Sequence, residues 1–355
     1  PEDPLVAGIY DFFKNDPELQ HIMVAGPSAA GAQLEGSKAF SKRFMQRHNV
    51  PTAGYEEFTD ENYDAGVAYI KQHSLPIVLK ADGLAAGKGV VIAQSTEEAL
   101  TTFNSMIKEA RFGDASKKVV IEEFLDGIEL SVFVLTDGTN YVRLPEAKDY
   151  KRIGVGDSGP NTGGMGAVSP VPFADDAFMQ KITERIIDPT VKGLKEERLT
   201  YQGFIFFGLI KVNGEPYVIE YNCRMGDPET EVVIPRLEND LVELIVLMHN
   251  GKLNEAAAKF KAEAACTVML VSEGYPDSYA KGKVMTGFEN VKDSMLLHAG
   301  TIIKDGHVVT NGGRVLAITS YGKNIADALA TSYANAEQIN YQGKFYRSDI
   351  GHEFK

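Results

Sequence analysis

A chain of 355 residues, 44% of them hydrophobic and 24% charged, exceeds one ordinary domain and can bury a large core, so two or three domains are expected and disorder is not. Its net charge of -13 excludes sequence-independent binding to nucleic acid or to an anionic membrane, because both need a basic surface; an anionic substrate then needs a local basic pocket. Only two cysteines, no signal-like leader, and apolar stretches far short of the ~20 residues that span a bilayer point to a reducing cytoplasm, with no disulfide framework and no membrane partner.

Residues 1–36 read as a helix over 5–13, a strand over 21–25 and a loop around Gly26-Pro27-Ser28, too little for a domain. The spacing predicts a helix from Ser37 to about His48, with Lys38, Lys42 and Arg43 interleaved among Ala39, Phe40, Phe44 and Met45. From 50 to 123 helix and strand alternate. Strands are expected over 77–80, 90–93 and 119–123, and a helix near 96–110 is announced by the capping-box spacing of Ser95 and Glu98. Asp137-Gly138 joins strands 128–136 and 140–144 into a hairpin, and Asn213-Gly214 does the same for 204–212 and 217–222. Between the hairpins lie a Gly-rich loop, 154–166, and a helix of roughly 20 residues starting near Asp175. A helix near 240–250 precedes a strand-rich module over 265–355, with turns at Asp305-Gly306 and Asn311-Gly312-Gly313.

The chemistry concentrates on the second strand of the second hairpin. In an extended chain the side chains of Glu220, Asn222 and Arg224 project to one face, and those of Ile219, Tyr221 and Cys223 to the other. A carboxylate and an amide so placed offer hard oxygen ligands of the kind Mg2+ accepts, and an Arg beyond them can grip phosphate oxygens. Two more carboxylates, Asp227 and Glu229, follow in a Gly-Asp-Pro turn. The loop Lys80-Ala81-Asp82-Gly83-Leu84-Ala85-Ala86-Gly87-Lys88-Gly89 combines small residues, which admit phosphate oxygens to backbone N–H groups, with two cations. It is not a Walker A loop, since three residues separate Gly83 from Gly87 and Gly89 follows Lys88; a hairpin lid over a nucleotide fits better, and an exposed turn is the alternative.

Gly154-Val155-Gly156-Asp157-Ser158-Gly159 matches G-x-G-x-x-G by count but follows charged Lys151-Arg152 and leads into more glycine, not a helix. A substrate-covering segment bordered by Asp149, Lys151 and Arg152 fits it, with a plain surface linker as the alternative. The stretch 120–129 could be a hinge that offers backbone groups to a flat base, with Glu129 placed to accept from ribose hydroxyls. The seven scattered histidines show no zinc spacing, and no G-x-S-x-G supplies an acyl-transfer serine.

In their order, Lys38, Lys80, the 83–89 loop, the 122–129 hinge and Glu220-x-Asn222-x-Arg224 resemble the ATP-grasp superfamily. Gly159-Pro160-Asn161-Thr162-Gly163-Gly164-Met165-Gly166, Asn222-Cys223-Arg224-Met225-Gly226-Asp227-Pro228-Glu229, Asn311-Gly312-Gly313-Arg314-Val315-Leu316 and Tyr346-Arg347-Ser348-Asp349-Ile350-Gly351 are similar to signatures of the glycinamide ribonucleotide synthetase family within it. The resemblance implies an α+β ATP-grasp fold, two α+β subdomains clasping ATP over 37–250 with a small lid subdomain at about 51–123. Residues 1–36 become the remnant of a Rossmann-like N-terminal α/β domain and 251–355 a small strand-rich C-terminal domain.

The implied reaction joins glycine to 5-phosphoribosylamine with ATP, through glycyl phosphate, in purine biosynthesis. The implied cofactors are ATP and Mg2+, with Mn2+ as a substitute, and the implied assembly is a monomer or weak dimer. By the same resemblance Lys38, Lys80, Gly87, Lys88 and Gly89 bind ATP phosphates, Glu122, Glu123 and Leu125 surround adenine, and Glu129 holds ribose. Glu220 and Asn222 ligate metal, and Arg224 with Lys80 acts on the moving phosphoryl group. Asp149, Lys151, Arg152, Asn161, Thr162, Asp227, Glu229 and Arg314 fall to glycine and phosphoribosylamine. The chain departs from the pattern in three places. Phe204–Ile210 carry no second metal carboxylate, Tyr150 stands where His is common, and the usual opening Gly-rich strand-turn is missing. An ATP-grasp ligase for another carboxylate and a catalytically incomplete nucleotide-binding fragment are the competing readings.

Overall fold

The computed structural model describes residues 2–84 and 89–354. A four-stranded antiparallel sheet is ordered Tyr55–Thr59, Lys118–Glu123, Ile77–Ala81, Val90–Ala93. Helices Tyr63–Gln72 and Thr96–Ile107 cover it through Phe58, Ile70, Leu79, Phe103 and Ile121. Ser95 starts the second helix as expected: its Oγ accepts the Glu98 amide at 3.1 Å, while the Glu98 carboxylate accepts from Gln94 at 2.8 Å.

The central sheet is built on Tyr201–Val212, which pairs with Ile128–Thr136 on one side and with Glu215–Asn222 and the short Gly26–Pro27 on the other. Asn213 and Gly214 both hold positive φ, 51° and 81°, the backbone twist that closes a two-residue hairpin. Helical turns run without a break from Asp176 to Glu196, through a π segment at Thr183–Ile187, and lay Phe178, Ile182, Ile186 and Leu194 onto the core of this sheet.

A six-stranded sheet contains Ser294–His298, Arg314–Gly322 and Ala264–Ser272, and it also takes in Gly166–Ser169 and Lys148–Asp149 from the middle of the chain. The helix Ile325–Gln338, unforeseen in the strand-rich reading, packs against it, capped by Asn324. Two other expectations fail near the start. Residues 21–25 form no strand, and 5–13 break at Gly8, whose φ of 85° divides Glu2–Val6 from Ile9–Asn15. The 154–166 segment is also less open than expected, because Arg152–Gly154 and Ser158–Asn161 pair as a small ladder. Among the described residues no helix is long and apolar enough to cross a membrane.

Candidate active site

Between the four-stranded sheet and the central sheet lies a cleft lined by Lys38, Lys42, Lys80, Gly89, Glu122, Glu220, Asn222 and Arg224, with Glu35, Leu34, Met45 and Ile219 among its walls. Lys38 reaches it because helix Lys38–Arg47 starts there, with Ser37 as its cap at 3.0 Å from the Phe40 amide. The Asp82 carboxylate accepts from Ala39 N at 2.7 Å and Ser37 Oγ at 2.9 Å, so the Gly-rich loop is docked on that helix N-terminus. The element that follows the loop is the strand Val90–Ala93, so the helix end beside it comes from an earlier part of the chain.

Glu122 bridges two ammonium groups, Lys80 at 2.9 Å and Lys42 at 3.1 Å, and all three side chains are buried. Burial lowers Lys42, to about 8, against the pull of Glu122, and burial lowers Lys38 in the same direction. The sequence motifs give Lys42 no role. Its signal is its place four residues after Lys38, which puts both on one helix face.

The Glu220 strand departs from simple alternation. Glu220 pairs with Gly208 and Val218 with Leu209, so Ile219 is an extra residue, a β-bulge. Alternation assigns Ile219 to the core face with Tyr221 and Cys223; the bulge instead puts it in the cleft wall beside Glu220, and Val218 takes the core place with Tyr221. Gly208 makes room for this, since a Cβ there would stand 3.2 Å from Glu220 Cγ. Neighbouring charges are mutually paired, Lys80 with Glu122, Lys151 with Glu129 and Arg224 with Glu35, and among the described residues Glu220 stays outside these pairs.

No group of three His, Cys, Asp or Glu side chains forms a metal cage among the described residues. The Glu220 carboxylate and the Asn222 amide oxygen, two hard donors on one wall, nonetheless fit an ion such as Mg2+, which keeps waters and phosphate oxygens for its other positions.

Glu220 and Ile219 also line a second, smaller hollow with Glu129, Ser131, Asp149 and Lys151. Lys151 lies 2.8 Å from Glu129. The Lys151 side chain is 44% exposed; the protein packed around it opposes its charge, but Asp149, Glu129 and Glu220 hold its pKa well above the ordinary value. Glu129, expected at ribose, lines this smaller hollow beside Asp149 and Lys151. Glu229 is buried, accepts from Ser131 Oγ at 2.9 Å, and is pushed up to about 8 by burial and then by Asp149.

A carboxyl whose pKa is raised by folding binds its proton more tightly in the folded chain. It therefore costs nothing below the ordinary 4.5 and destabilises progressively as pH rises toward about 8. Glu229→Gln is expected to flatten this part of the stability profile, raising the thermal midpoint relative to the parent at pH 8 more than at pH 5. Parallel profiles for the two proteins, followed by circular dichroism, would contradict the assignment.

The remaining predicted residues are placed around the Gly-rich segment or away from the hollows. Arg152 donates to Gly159 O at 2.8 Å, Thr162 Oγ1 to Lys151 O at 2.8 Å, and Asn161 is exposed; none of the three lines either hollow. Arg314 pairs with Asp227 at 2.9 Å and donates to Gly163 O at 2.7 Å, while Gly163 N donates to Tyr275 Oη at 2.8 Å. The wholly buried Arg347 grips Asp349 and reaches Asp157 at 2.7 Å, and Asp349 accepts from Gly156 N at 2.8 Å. Tyr150, in the position where His is common, is buried with its hydroxyl on Glu353 at 2.9 Å. The Glu123 carboxylate accepts from Gly54 N at 2.8 Å, and neither it nor Leu125 lines the cleft. Gly87 and Lys88 lie outside the described residues.

The arrangement joins a cleft in which four basic side chains, Lys38, Lys42, Lys80 and Arg224, meet four acidic ones, Glu2, Glu35, Glu122 and Glu220, to a smaller acidic and basic hollow through one shared carboxylate, Glu220. Residues 36–230 match the family model for the phosphoribosylglycinamide synthetase ATP-grasp (A) domain, and 265–353 that for the phosphoribosylglycinamide synthetase C domain. A phosphoribosylamine–glycine ligase of Yersinia pestis is 48% identical over 99% of this chain and 82% of its own length. One from Pseudomonas aeruginosa is 46% identical over 99% and 81%. The crystal structure of phosphoribosylamine–glycine ligase from Thermotoga maritima superposes with a TM-score of 0.84 at 40% identity, covering 91% of this chain and 81% of that one. The biotin carboxylase domain of Hydrogenobacter thermophilus 2-oxoglutarate carboxylase, solved with MgADP, shares the fold at a TM-score of 0.71 and 19% identity, covering 92% and 71%.

Proposed function

From a chain that belongs to the phosphoribosylglycinamide synthetase family, we propose a catalytic cycle carried by the charged and amide side chains Lys38, Lys80, Glu122, Glu220, Asn222 and Arg224 of the cleft. The reaction is ATP + glycine + 5-phosphoribosylamine to ADP + phosphate + glycinamide ribonucleotide, a carboxylate-amine ligation of de novo purine biosynthesis. The observation that carries this reading is the convergence of Lys38, Lys80, Glu220, Asn222 and Arg224 on one cleft in a chain so similar to named ligases.

A carboxylate is a poor acyl donor, so glycine first takes the terminal phosphoryl group to become glycyl phosphate; the amine of phosphoribosylamine then displaces phosphate. The barrier is one of positioning and charge. Lys38 and Lys80 bind nucleotide phosphates, and Glu122, held between Lys80 and Lys42, keeps the Lys80 ammonium in place. Glu220 and Asn222 would hold Mg2+, which when bound neutralises phosphate charge. Arg224 meets the charge on the transferring group. Because Glu220 stands on the wall common to both hollows, glycine bound at the junction beside Glu220 turns its carboxylate toward the nucleotide's terminal phosphate and its ammonium toward Asp149 and Glu129, with Lys151 balancing them. The Gly-rich segment, fastened by Arg314 and Arg347, covers the acceptor side, where Arg152, Asn161 and Thr162 meet phosphoribosylamine.

The working unit in this reading is a monomer or weak dimer. The acidic surface and the two buried free cysteines support a cytoplasmic setting. ADP release measured across a panel of small carboxylic acids, each with and without phosphoribosylamine, tests the reading. Sustained release, beyond one equivalent per enzyme, is expected only with glycine plus phosphoribosylamine; sustained release with another acid and not with this pair would move the chain to a different ATP-grasp ligase.

A further inference from the structure

The nucleotide cleft contains one buried carboxylate for which the cycle above has no use. Glu35, in the short helix Gln33–Gly36, is 8% exposed. Its Oε2 accepts the backbone amide of Cys223 at 2.7 Å, and its Oε1 lies 2.9 Å from Nη2 of Arg224. The same Nη2 donates to Asn222 Oδ1 at 3.4 Å, so one guanidinium nitrogen ties the arginine both to Glu35 and to the amide offered to the metal. A carboxylate removed from water is costly unless its lone pairs are matched, and here both oxygens are spent on consecutive residues of a single turn, one on its backbone and one on its side chain.

Resting on the role given above to Arg224, we propose that Glu35 is the positioning residue of that arginine. It anchors the peptide from which the side chain springs and pins one nitrogen of the fork, so the guanidinium is oriented before the nucleotide arrives. Preorganised charge of this kind spares the reorganisation that a solvated, mobile arginine would undergo during phosphoryl transfer. Glu2 also approaches the guanidinium, with its Oε2 3.3 Å from Nε, but it is the less buried and more distant of the two carboxylates; Gln in place of Glu35 preserves size and an acceptor for the Cys223 amide but removes the nearer, buried charge on the fork.

The experiment measures kcat and KM for ATP, glycine and phosphoribosylamine in Glu35→Gln, and repeats the substitution in an Arg224→Gln background, where single turnovers at stoichiometric enzyme report the residual rate. A guanidinium displaced by about 1 Å is expected to cost about 10²-fold in kcat. KM for ATP should stay within about three-fold, because the interaction is made mainly in the transition state. Adding Glu35→Gln to Arg224→Gln should bring no further loss, since two residues acting as one unit are not additive. A parental kcat in Glu35→Gln, a change confined to KM, or losses that multiply in the double variant would overturn the positioning role and leave that of Arg224 standing. Full activity in Arg224→Gln would remove both. If thermal unfolding shows that Glu35→Gln does not fold, Glu35→Asp, which keeps the charge and shortens the reach, takes its place in the double-mutant cycle, and the same results support or overturn the positioning role.

Discussion

Glu220→Gln is expected to lower kcat by about 10³-fold while changing stability by no more than about 0.5 kcal/mol. The substitution is nearly isosteric and alters a half-buried group outside the neighbouring ion pairs, so the core beneath it, Val218 and Tyr221, is untouched. What disappears is the one negative charge on the wall shared by the nucleotide cleft and the smaller hollow. The variant should bind nucleotide but lose the Mg2+ dependence of its residual rate over concentrations to which the parent responds. ADP release and nucleotide titrations with and without Mg2+ measure both effects; unchanged turnover would remove Glu220 from the reaction.

Arg224→Ala is expected to cost about 10³-fold or more in kcat, the range of a side chain that meets charge on a transferring phosphoryl group. KM for glycine should change little. The loss has a second, separable consequence, because the buried Glu35 carboxyl is left without its guanidinium. Burial already raises the Glu35 pKa, and Arg224 is the chief influence pulling it down, so the substitution should raise that pKa further. A carboxyl raised further by this loss destabilises as pH rises above its ordinary value, so the stability deficit of Arg224→Ala should be larger at pH 8 than at pH 5. The kinetic deficit should persist at both, and thermal unfolding beside ADP release distinguishes the two.

The hairpins at Asp137-Gly138 and Asn213-Gly214 and the capped helix after Ser95 were legible because each rests on residues a few positions apart. The same holds for Lys38, Lys80, Glu220, Asn222 and Arg224, whose chemistry shows in their types and order. What stayed hidden depends on distant partners. Lys42 and Glu35 look like ordinary helix residues until Glu122 and Cys223-Arg224 are folded against them. The bulge at Ile219 is set by register against Gly208 and Leu209, which period-two reasoning cannot supply. The helix Ile325–Gln338 did carry a local signal, since Asn324 caps the Asp327 amide and apolar residues recur at Ile325, Ala328, Leu329 and Ala336; the glycine turns before it drew the reading toward strands.

Arg347, Arg314 and Tyr275 all fasten the covering segment 152–163 from the far end of the chain, and the sheet beneath them borrows Gly166–Ser169 from its middle. Pruning the enzyme to its nucleotide-handling portion would therefore cut the moorings of the flap and leave a raw sheet edge in the same stroke. Energy capture and acceptor recruitment are woven into one fabric, and neither can be transplanted as a stand-alone cassette.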